Sequence, residues 1–268
     1  MQKITKLVLP VAGLGKRLLP LTKNLPKALV AASGKPLLEY VLEEAVSAGI
    51  KEVVLVINPR HAEHFKTYLK KGRKRFPELT FHVRVQDTPG GNGHAVVQAF
   101  DIIGNKPFAV RFCDDIVAGD PPALQSLIKI FDERRGSVVL LERVPKKLIP
   151  RFGVVAIKGG AEAKKIDGGN VYQIMDIIEK PKAKDAPSNL TIVGGYVLSG
   201  DVIKNLKRIA NTLSTVLAND ALPIAVALQI ELIIGGKIYG WEFPGTRLDC
   251  GTLEKLRQAE AFLNKKRK

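Results

Sequence analysis

The 268-residue sequence contains 46% hydrophobic, 6% aromatic and 25% charged residues, proportions that are ordinary for a globular protein and exclude a disordered chain. No apolar run reaches the roughly 18 residues that a membrane-spanning helix needs. Its 42 lysines and arginines against 26 aspartates and glutamates give a formal net charge of +16. This charge predicts an anionic partner, such as nucleic acid, an anionic membrane or a phosphorylated substrate.

Strands and helices alternate along the first half of the chain. The predicted strands are Lys6–Val11, Glu52–Ile57, Leu79–Gln86, Phe108–Phe112 and Val138–Glu142. The predicted helices are Pro36–Ala48, Asn58 to about Lys71, about His94 to Ile103, and a helix opened by Pro121. The strands are apolar throughout, so both faces of their sheet are covered. This pattern predicts an α/β fold with a doubly wound, mostly parallel, Rossmann-like mixed sheet.

The alternation changes after about Pro145. The predicted strands are Gly153–Ile157, Tyr172–Glu179, Ile192–Leu198 and Lys237–Phe243, with a glycine-containing connection between the first two. Helices are predicted near Asp201–Ile209, Asp220–Ile230 and Thr252–Asn264. No linker is long enough to separate domains. We therefore expect one α/β body with a smaller β-rich subregion over the edge of the sheet.

Two clusters hold much of the excess positive charge, one at Lys66–Arg75 and one at Lys265–Lys268. Solvated helix faces and a frayed terminus would explain them, and so would a nucleic-acid-binding surface. The low aromatic content argues against nucleic acid, because no platform for stacking bases is evident. Two cysteines do not make a disulfide framework, and the short apolar N-terminal stretch is typical of a strand. We therefore expect a cytoplasmic protein.

A glycine loop follows the first strand. Gly13 and Gly15 allow a tight turn that presents backbone N–H groups, and Lys16 and Arg17 add two cations suited to a triphosphate or a departing pyrophosphate. The third glycine of a dinucleotide-binding fingerprint and the Gly-Lys-Ser/Thr of a phosphate loop are both missing. A plain strand–turn–helix connection is the alternative. Lys27 follows ten residues later in a segment without apolar periodicity.

Carboxylates stand at two further loops. Asp114 and Asp115 close a buried strand, where ligands of such sheets bind, and carboxylate oxygens suit Mg²⁺. Helix capping is the alternative, although Asp120 is better placed to cap the following helix. Asp249 precedes a predicted helix, where a turn or cap is again the alternative. Asp114 and Asp249 matter as a pair only if the fold joins them.

The second half of the chain carries two more candidate groups. Glu179 and Lys180 precede Pro181 at a strand end, where they could bind hydroxyls and a phosphate or form a surface ion pair. Gly194 and Gly195 suggest a close approach of the backbone to a ligand, or a bulge. The four histidines share no metal-ligand spacing with the cysteines, and no Ser or Cys has the context of a nucleophile.

Together these motifs resemble the nucleoside-triphosphate:sugar-1-phosphate nucleotidyltransferases, most closely the branch that transfers a uridylyl group from UTP to glucose 1-phosphate. The resemblance extends from Lys6 to about Glu260, and His94 points to the uridylyl branch. The motifs that carry it, in order, are Val11–Arg17 with Pro26-Lys27, Gly91–Val96, Asp114–Ile116, Phe152–Val155, Glu179–Pro181, Gly195-Tyr196 and Leu248–Gly251.

The resemblance implies Mg²⁺-dependent synthesis of UDP-glucose and pyrophosphate, by in-line attack of the sugar phosphate on the α-phosphorus. It implies a single domain over 1–268, with a nucleotide-binding half at about 1–145 and a sugar-binding half with a C-terminal helix at about 146–268. The same chemistry with dTTP or another sugar 1-phosphate is one alternative. A non-catalytic nucleic-acid-binding or regulatory protein on this fold is another.

The resemblance also assigns roles to residues. The nucleotide would be bound by Ala12, Gly13, Gly15, Lys16, Gln86, Gly91 and Asp114, and Mg²⁺ by Asp114 and Asp249. The sugar phosphate would be bound by Gly153, Glu179, Lys180 and Gly195. Arg17 would bind the triphosphate, Lys27 would steady the transition state, and Lys180 would contact the phosphate of the sugar. We expect a homodimer or homotetramer, and neither a nucleic-acid nor a membrane partner.

Overall fold

The fold comes from a computed structural model that describes residues 3–158, 164–216 and 221–266, with the side chains of 213–216 left out. The strands are β1 Lys6–Pro10, β2 Ala31–Ala32, β3 Lys35–Pro36, β4 Glu52–Ile57, β5 Thr80–Val85, β6 Phe108–Arg111, β7 Asp115–Ala118, β8 Ser137–Arg143, β9 Gly153–Ile157, β10 Lys164–Ile166, β11 Gly169–Glu179, β12 Leu190–Leu198, β13 Ile238–Glu242 and β14 Thr246–Asp249. The helices are α1 Leu37–Ser47, α2 Ala62–Arg75, α3 Gly91–Val97, α4 Phe100–Ile103, α5 Ala123–Arg134, α6 Gly200–Val216, α7 Ile224–Ile233 and α8 Leu253–Lys266.

One large mixed sheet runs through the molecule in the order β10-β11-β13-β8-β12-β6-β1-β4-β5, with β9 beside β11 and β12. The strands β6, β1, β4 and β5 are parallel neighbours, and β13 is parallel to β8. Strand β12 is antiparallel to both β6 and β8. The α/β class and the mixed sheet are confirmed, but parallel pairing is confined to fewer strands than the sequence predicts. The reason is that a continuous apolar run indicates burial of both faces of a strand but not its direction. Strand β12 is buried on both faces and nevertheless runs antiparallel to its neighbours.

Helices cover both faces of the sheet. Leu7 and Leu9 of β1 join the core under α1, α2, α5 and α8, whereas Val8 joins the core under α3, α4, α6 and α7. All three side chains are fully buried, and burial of each contributes about 1.5–3 kcal/mol. The alternation of side chains along one strand therefore supplies two separate cores, as a doubly wound arrangement requires.

One proline and three glycines between Thr88 and Gly93 predict a loop, but this segment is partly helical, because α3 begins at Gly91. The glycines allow this segment to approach the backbone at Leu222 closely, and they do not form an extended loop. A Cβ on Gly93 would lie 2.8 Å from the carbonyl oxygen of Leu222, to which the Gly93 N–H donates a hydrogen bond of 2.8 Å. The single helix predicted from His94 to Ile103 is instead split into α3 and α4.

The remaining predicted elements agree with the structure to within a few residues, with two exceptions. Helix α6 extends to Val216, well past the predicted end at Ile209, and α7 begins at Ile224. The predicted start of that last helix, Asp220, lies outside the described residues. Within the part of the chain that is described, no helix is both long and apolar enough to cross a membrane.

Candidate active site

Two adjoining cavities open at the carboxyl ends of β1 and β6. We call the first the loop cavity, which has a volume of about 340 Å³ and is bordered by the glycine loop 13–17. The second is the strand cavity, which has a volume of about 320 Å³ and is bordered by residues 192–194 of β12. Arg17, Asn92, Phe112 and Asp114 line both cavities. The two cavities are therefore two lobes of one continuous site.

The glycine loop is shaped by local backbone requirements. Gly15 has a left-handed φ of +63°, and its carbonyl accepts a hydrogen bond of 2.8 Å from the Thr22 hydroxyl. A Cβ on Gly15 would lie 2.9 Å from Thr22 Cγ2. A larger residue is therefore disfavoured for two reasons, the left-handed backbone conformation and this close contact. The loop continues into a short 3₁₀ turn that begins at Lys16, and both Lys16 and Arg17 line the loop cavity.

The fold brings together Asp114 and Asp249, two aspartates whose proximity cannot be deduced from the sequence. Strands β7 and β14 pair antiparallel with Asp115 opposite Asp249, and the Cys250 N–H donates a hydrogen bond of 2.7 Å to the Asp114 carbonyl. Neither β7 nor β14 is predicted from the sequence, because each is short and lacks an uninterrupted apolar run. This small sheet brings the loops that carry Asp114 and Asp249 to the same place, where both residues line the strand cavity.

Each of these two carboxylates already has a lysine partner. Lys27 forms an ion pair with Asp114, and Lys255 forms one with Asp249. The second oxygen of Asp249 accepts a hydrogen bond of 2.8 Å from the Gly251 N–H. Burial raises the pKa of Asp249, but the bonds from Lys255 and Gly251 outweigh it and leave that pKa below its ordinary value. Asp249 therefore carries its negative charge firmly at neutral pH.

Asp115 plays a different part from its neighbour Asp114. Its carboxylate accepts hydrogen bonds of 2.7 Å from Arg247 and 3.0 Å from the Gly194 N–H. Burial, reinforced by the charge of Asp114, raises the pKa of Asp115, and Arg247 opposes that shift. Arg247 also bonds Glu142 at 2.7 Å. The Asp115 carboxylate is thus already bonded to Arg247 and to the backbone of β12. For this reason Asp115 is not one of the candidate metal ligands.

Arg111 is fully buried and holds the backbone beside the strand cavity in place. Arg111 pairs with Glu44 at 3.0 Å and donates hydrogen bonds to the carbonyls of Gly194, at 2.6 Å, and Asp115, at 3.0 Å. One guanidinium therefore ties together α1, β12 and the start of β7. The backbone around the strand cavity is held by charge-assisted hydrogen bonds rather than by regular secondary structure alone.

The far wall of the strand cavity contains the Glu179–Lys180 pair. Gly153 lies opposite Glu179 in the β9–β11 register, and a Cβ on Gly153 would lie 3.0 Å from Glu179 Oε2. Lys180 has a φ of +48°, and its N–H donates a hydrogen bond of 3.0 Å to the Phe152 carbonyl. Its ammonium lies 3.6 Å from Glu179. The pair therefore exists as an ion pair and also faces the cavity, so the two predicted alternatives are compatible.

This arrangement can bind two anions side by side, and comparison with known proteins identifies its family. The family model described as Nucleotidyl transferase matches residues 6–266. The chain belongs to the nucleotidyl transferase family. It is 34% identical to a UTP–glucose-1-phosphate uridylyltransferase of Staphylococcus epidermidis, over 96% of this chain and 90% of that protein. It is 32% identical to the enzyme of the same name from Bacillus subtilis, over 96% of this chain and 89% of that protein.

Solved structures agree with the family assignment. A crystal structure of UDP-glucose pyrophosphorylase complexed with UDP-glucose superimposes with a TM-score of 0.83. Its chain is 30% identical, and the match covers 98% of this chain and 99% of that one. The likeness therefore extends over nearly the whole length of both chains.

The structure brings most predicted site residues of this nucleotidyl transferase to the two cavities. The loop cavity is lined by Gly13, Gly15, Lys16, Arg17, Lys27 and Asp114, and the strand cavity by Arg17, Asp114, Gly153, Glu179, Lys180 and Asp249. Three charged residues that the sequence analysis did not single out also line the strand cavity: Arg151, Arg247 and Lys255. Lys255 lies six residues beyond Asp249, on α8, and only the fold returns it to that aspartate.

Four predicted residues lie outside the cavity linings in the described part of the chain: Ala12, Gln86, Gly91 and Gly195. Gln86 is buried and donates a hydrogen bond of 3.0 Å to the Gly91 carbonyl, directly beside the lining residue Asn92. A Cβ on Gly195 would face Leu140 and Arg111, whereas its neighbour Gly194 borders the strand cavity. Their assigned contacts with substrate stay predictions.

The basic cluster at Lys66–Arg75 lies on α2, and none of its residues lines either cavity. Its buried residues face the core, and its cations are exposed. Lys66 pairs with Glu63 at 3.3 Å, and Arg75 pairs with Glu39 at 2.7 Å. In the second cluster, positions 267 and 268 lie outside the described residues. These observations agree with the solvated-face interpretation of α2.

Proposed function

We propose that this nucleotidyl transferase makes UDP-glucose and pyrophosphate from UTP and glucose 1-phosphate. The observation that carries the proposal is the continuity of the two cavities through Arg17 and Asp114. Two substrates must meet for a nucleotidyl transfer, and these residues stand where the lobes join. The curated relatives named UTP–glucose-1-phosphate uridylyltransferase support the choice of UTP and glucose 1-phosphate.

UTP would occupy the loop cavity. The base would lie against Ala12, Gly13, Gln86 and Gly91, and the triphosphate against Gly15, Lys16 and Arg17. Backbone N–H groups of a glycine turn and two adjacent cations form a strong anion site. Arg17 has no carboxylate partner among the residues that the structure describes, so its guanidinium is available to the phosphates.

Glucose 1-phosphate would occupy the strand cavity. Glu179 would accept hydrogen bonds from sugar hydroxyls, with Gly153 allowing close approach of the ring and the backbone of Gly195 contacting it from β12, and Lys180 would contact the phosphate. Gly153 supports this role, because any side chain there would press on the Glu179 carboxylate. Lys180 is only loosely paired with Glu179, at 3.6 Å, so an incoming phosphate can take over its ammonium.

The reaction needs positioning and neutralisation more than covalent chemistry. A phosphate oxygen of the sugar forms a bond to the α-phosphorus of UTP, and the bond from that phosphorus to the bridging oxygen of the pyrophosphate breaks. The attacking phosphate is already ionised, so no general base has to remove a proton. Lys27, Arg17 and Lys180 would neutralise the charge that develops between two polyanions.

Asp114 and Asp249 would hold Mg²⁺, which supplies neutralisation of the phosphate charge. The donor set fits this cation, which binds through one or two carboxylates together with substrate phosphates and water. Across the described ranges no group of three or more His, Cys, Asp or Glu side chains could hold a metal by itself. The substrate would therefore have to complete the coordination.

We further propose that 1–268 is one nucleotidyltransferase domain, whose halves at about 1–145 and about 146–268 bind the nucleotide and the sugar. Both halves contribute strands to the same sheet and residues to the same site, which supports a single domain. A cytoplasmic homodimer or homotetramer completes the proposal.

The test is pyrophosphate release from the purified protein with Mg²⁺. UTP, dTTP, CTP, ATP and GTP are each combined with glucose 1-phosphate and with N-acetylglucosamine 1-phosphate. Release with UTP and glucose 1-phosphate alone is the expected result. Release with dTTP or another sugar would keep the chemistry and change the substrate, whereas no release with any pair from folded protein would contradict the proposal.

A further inference from the structure

The strand cavity contains a lysine to which none of the roles above applies. Lys255 lies in the first turn of α8, and its ammonium forms a close ion pair with Asp249 Oδ2. Its backbone N–H donates a hydrogen bond of 3.3 Å to the Thr252 hydroxyl oxygen, which fixes the start of the helix. The side chain is 33% exposed and borders the cavity, so the ion pair lies at the site and is open to an arriving ligand.

Both oxygens of Asp249 are occupied in this arrangement. Oδ1 accepts the hydrogen bond from Gly251, Oδ2 pairs with Lys255, and Arg247 lies 4.0 Å from Oδ2. Asp114 is matched in the same way by Lys27. Two carboxylates and two ammonium groups leave no net charge, so a bare divalent cation gains little by entering and must first separate an ion pair.

A nucleoside triphosphate changes this balance. Its phosphates carry several negative charges and offer the lysine ammonium groups a stronger partner than a single carboxylate. Lys255 can leave Asp249 for a phosphate by rotating a flexible side chain, without movement of the helix. Asp249 then becomes free to bind a cation that is already held by the phosphates.

We propose that Lys255 is a positioning residue that keeps Asp249 occupied in the free enzyme and releases it when the nucleotide arrives. The free protein then binds bare divalent cations weakly, and the cation enters together with the triphosphate. This inference rests on the proposed function, because the role of Asp249 as a metal ligand belongs to that proposal.

The test measures binding of Mn²⁺, by electron paramagnetic resonance of the free ion, to the full-length protein without nucleotide. Replacing Lys255 by Met removes the competing charge, and we expect the Kd for Mn²⁺ to fall about five- to tenfold, as for one unit charge a few ångströms away in a solvated site. Lys255→Gln provides a second neutral variant should the first not fold. Lys255→Arg keeps the charge and is expected to retain the wild-type Kd.

A matched control lies on the same helix. Arg257 is exposed and has no carboxylate partner among the described residues, so Arg257→Met removes one positive charge without touching Asp249. We expect its Kd for Mn²⁺ to equal that of the wild type. A decrease equal to that of Lys255→Met would mean that net charge alone sets the affinity, and the proposal would be overturned.

The second arm repeats the titration with a UTP analogue that has a methylene group between the α- and β-phosphorus atoms. The analogue is expected to tighten Mn²⁺ binding more in the wild type than in Lys255→Met, because the variant has no ion pair to release. Equal enhancement in both proteins would overturn the role of Lys255. Asp249→Asn separates the two proposals, since an unchanged Mn²⁺ affinity with the analogue would remove Asp249 from the metal site and contradict the proposed function itself.

Discussion

The two lobes of the site are built by different means. The loop cavity depends on backbone geometry, with Gly15 in a left-handed conformation and Lys16 and Arg17 following it in a tight turn. The strand cavity depends on ionised side chains that hold one another, centred on Arg111 and Arg247. The loop cavity can be recognised from a short sequence motif, whereas the strand cavity forms only when segments that are distant in sequence come together in the fold.

The largest effect is expected where the lobes join. Asp114→Ala removes a candidate metal ligand that borders both cavities, and it leaves the Lys27 ammonium without its partner. We expect kcat for pyrophosphate release to fall about 10³-fold, the scale for loss of a group that stabilises transition-state charge. Asp120→Ala, in an exposed position of the same segment, is the control. Full activity of Asp114→Ala with Mg²⁺, in a protein that melts normally, would show that the lobes do not share a metal.

The next largest effect tests the ionic framework of the strand cavity. Arg111→Met leaves Glu44 with no arginine partner and removes the guanidinium hydrogen bonds to two carbonyls. Breaking a buried pair in this way typically costs about 3–5 kcal/mol, which urea unfolding would measure. Arg84→Met breaks the more exposed pair with Asp101 and is expected to cost at most about 1 kcal/mol. Equal losses for the two variants would contradict the role of the buried Arg111 in holding the backbone around the strand cavity.

A smaller effect separates the two substrates. Lys180→Ala is expected to weaken the use of glucose 1-phosphate by about 2–3 kcal/mol in kcat/KM, the scale of a charge-assisted contact, while the KM for UTP changes little. Lys182→Ala removes an exposed charge two residues away that borders neither cavity, and it is expected to behave as the wild type. An unchanged response to glucose 1-phosphate would exclude Lys180 from the proposed binding site of the sugar phosphate.

The smallest effect tests the backbone of the loop cavity. Gly15→Ala forces a side chain into the left-handed region and against Thr22, with an expected loss of about 1–2 kcal/mol in the free energy of unfolding. Gly13 has open space where its Cβ would be, so Gly13→Ala is expected to change that free energy by less than about 0.5 kcal/mol. Urea unfolding of both variants decides the matter, and similar losses would mean that loop conformation does not depend on Gly15.

The same contrast explains what could be predicted from sequence. The strand Glu52–Ile57 was predicted at its observed bounds, because an uninterrupted apolar run has one interpretation in an alternating chain. The direction of β12 could not be predicted, since burial on both faces is equally compatible with parallel and antiparallel neighbours. The glycine loop indicates where the loop cavity lies, since Gly13, Gly15, Lys16 and Arg17 all border it.

In the strand cavity the limits were different. The partners of Arg111 and Arg247 come from segments that are distant in sequence, as Asp115 does for Arg247. The partner of Lys255 is Asp249, six residues away, a spacing at which side chains of one helix do not meet. Gly194 and Gly195 could be predicted as a pair, but which of the two borders the cavity depends on a single-residue register in β12. Charge pairing of this kind carries no local signal, so it was missed.

The position of β12 has a consequence for synthesis of the chain. It comes from residues 190–198, yet it lies between β6 and β8, which come from residues 108–111 and 137–143. Until β12 leaves the ribosome, β6 and β8 each lack a neighbour at the middle of the sheet. An unpaired apolar strand edge invites association with other chains. A nascent chain that stops before residue 190 therefore exposes unpaired strand edges instead of a finished sheet, and residues 1–145 cannot complete their part of the sheet until residues 190–198 have been made.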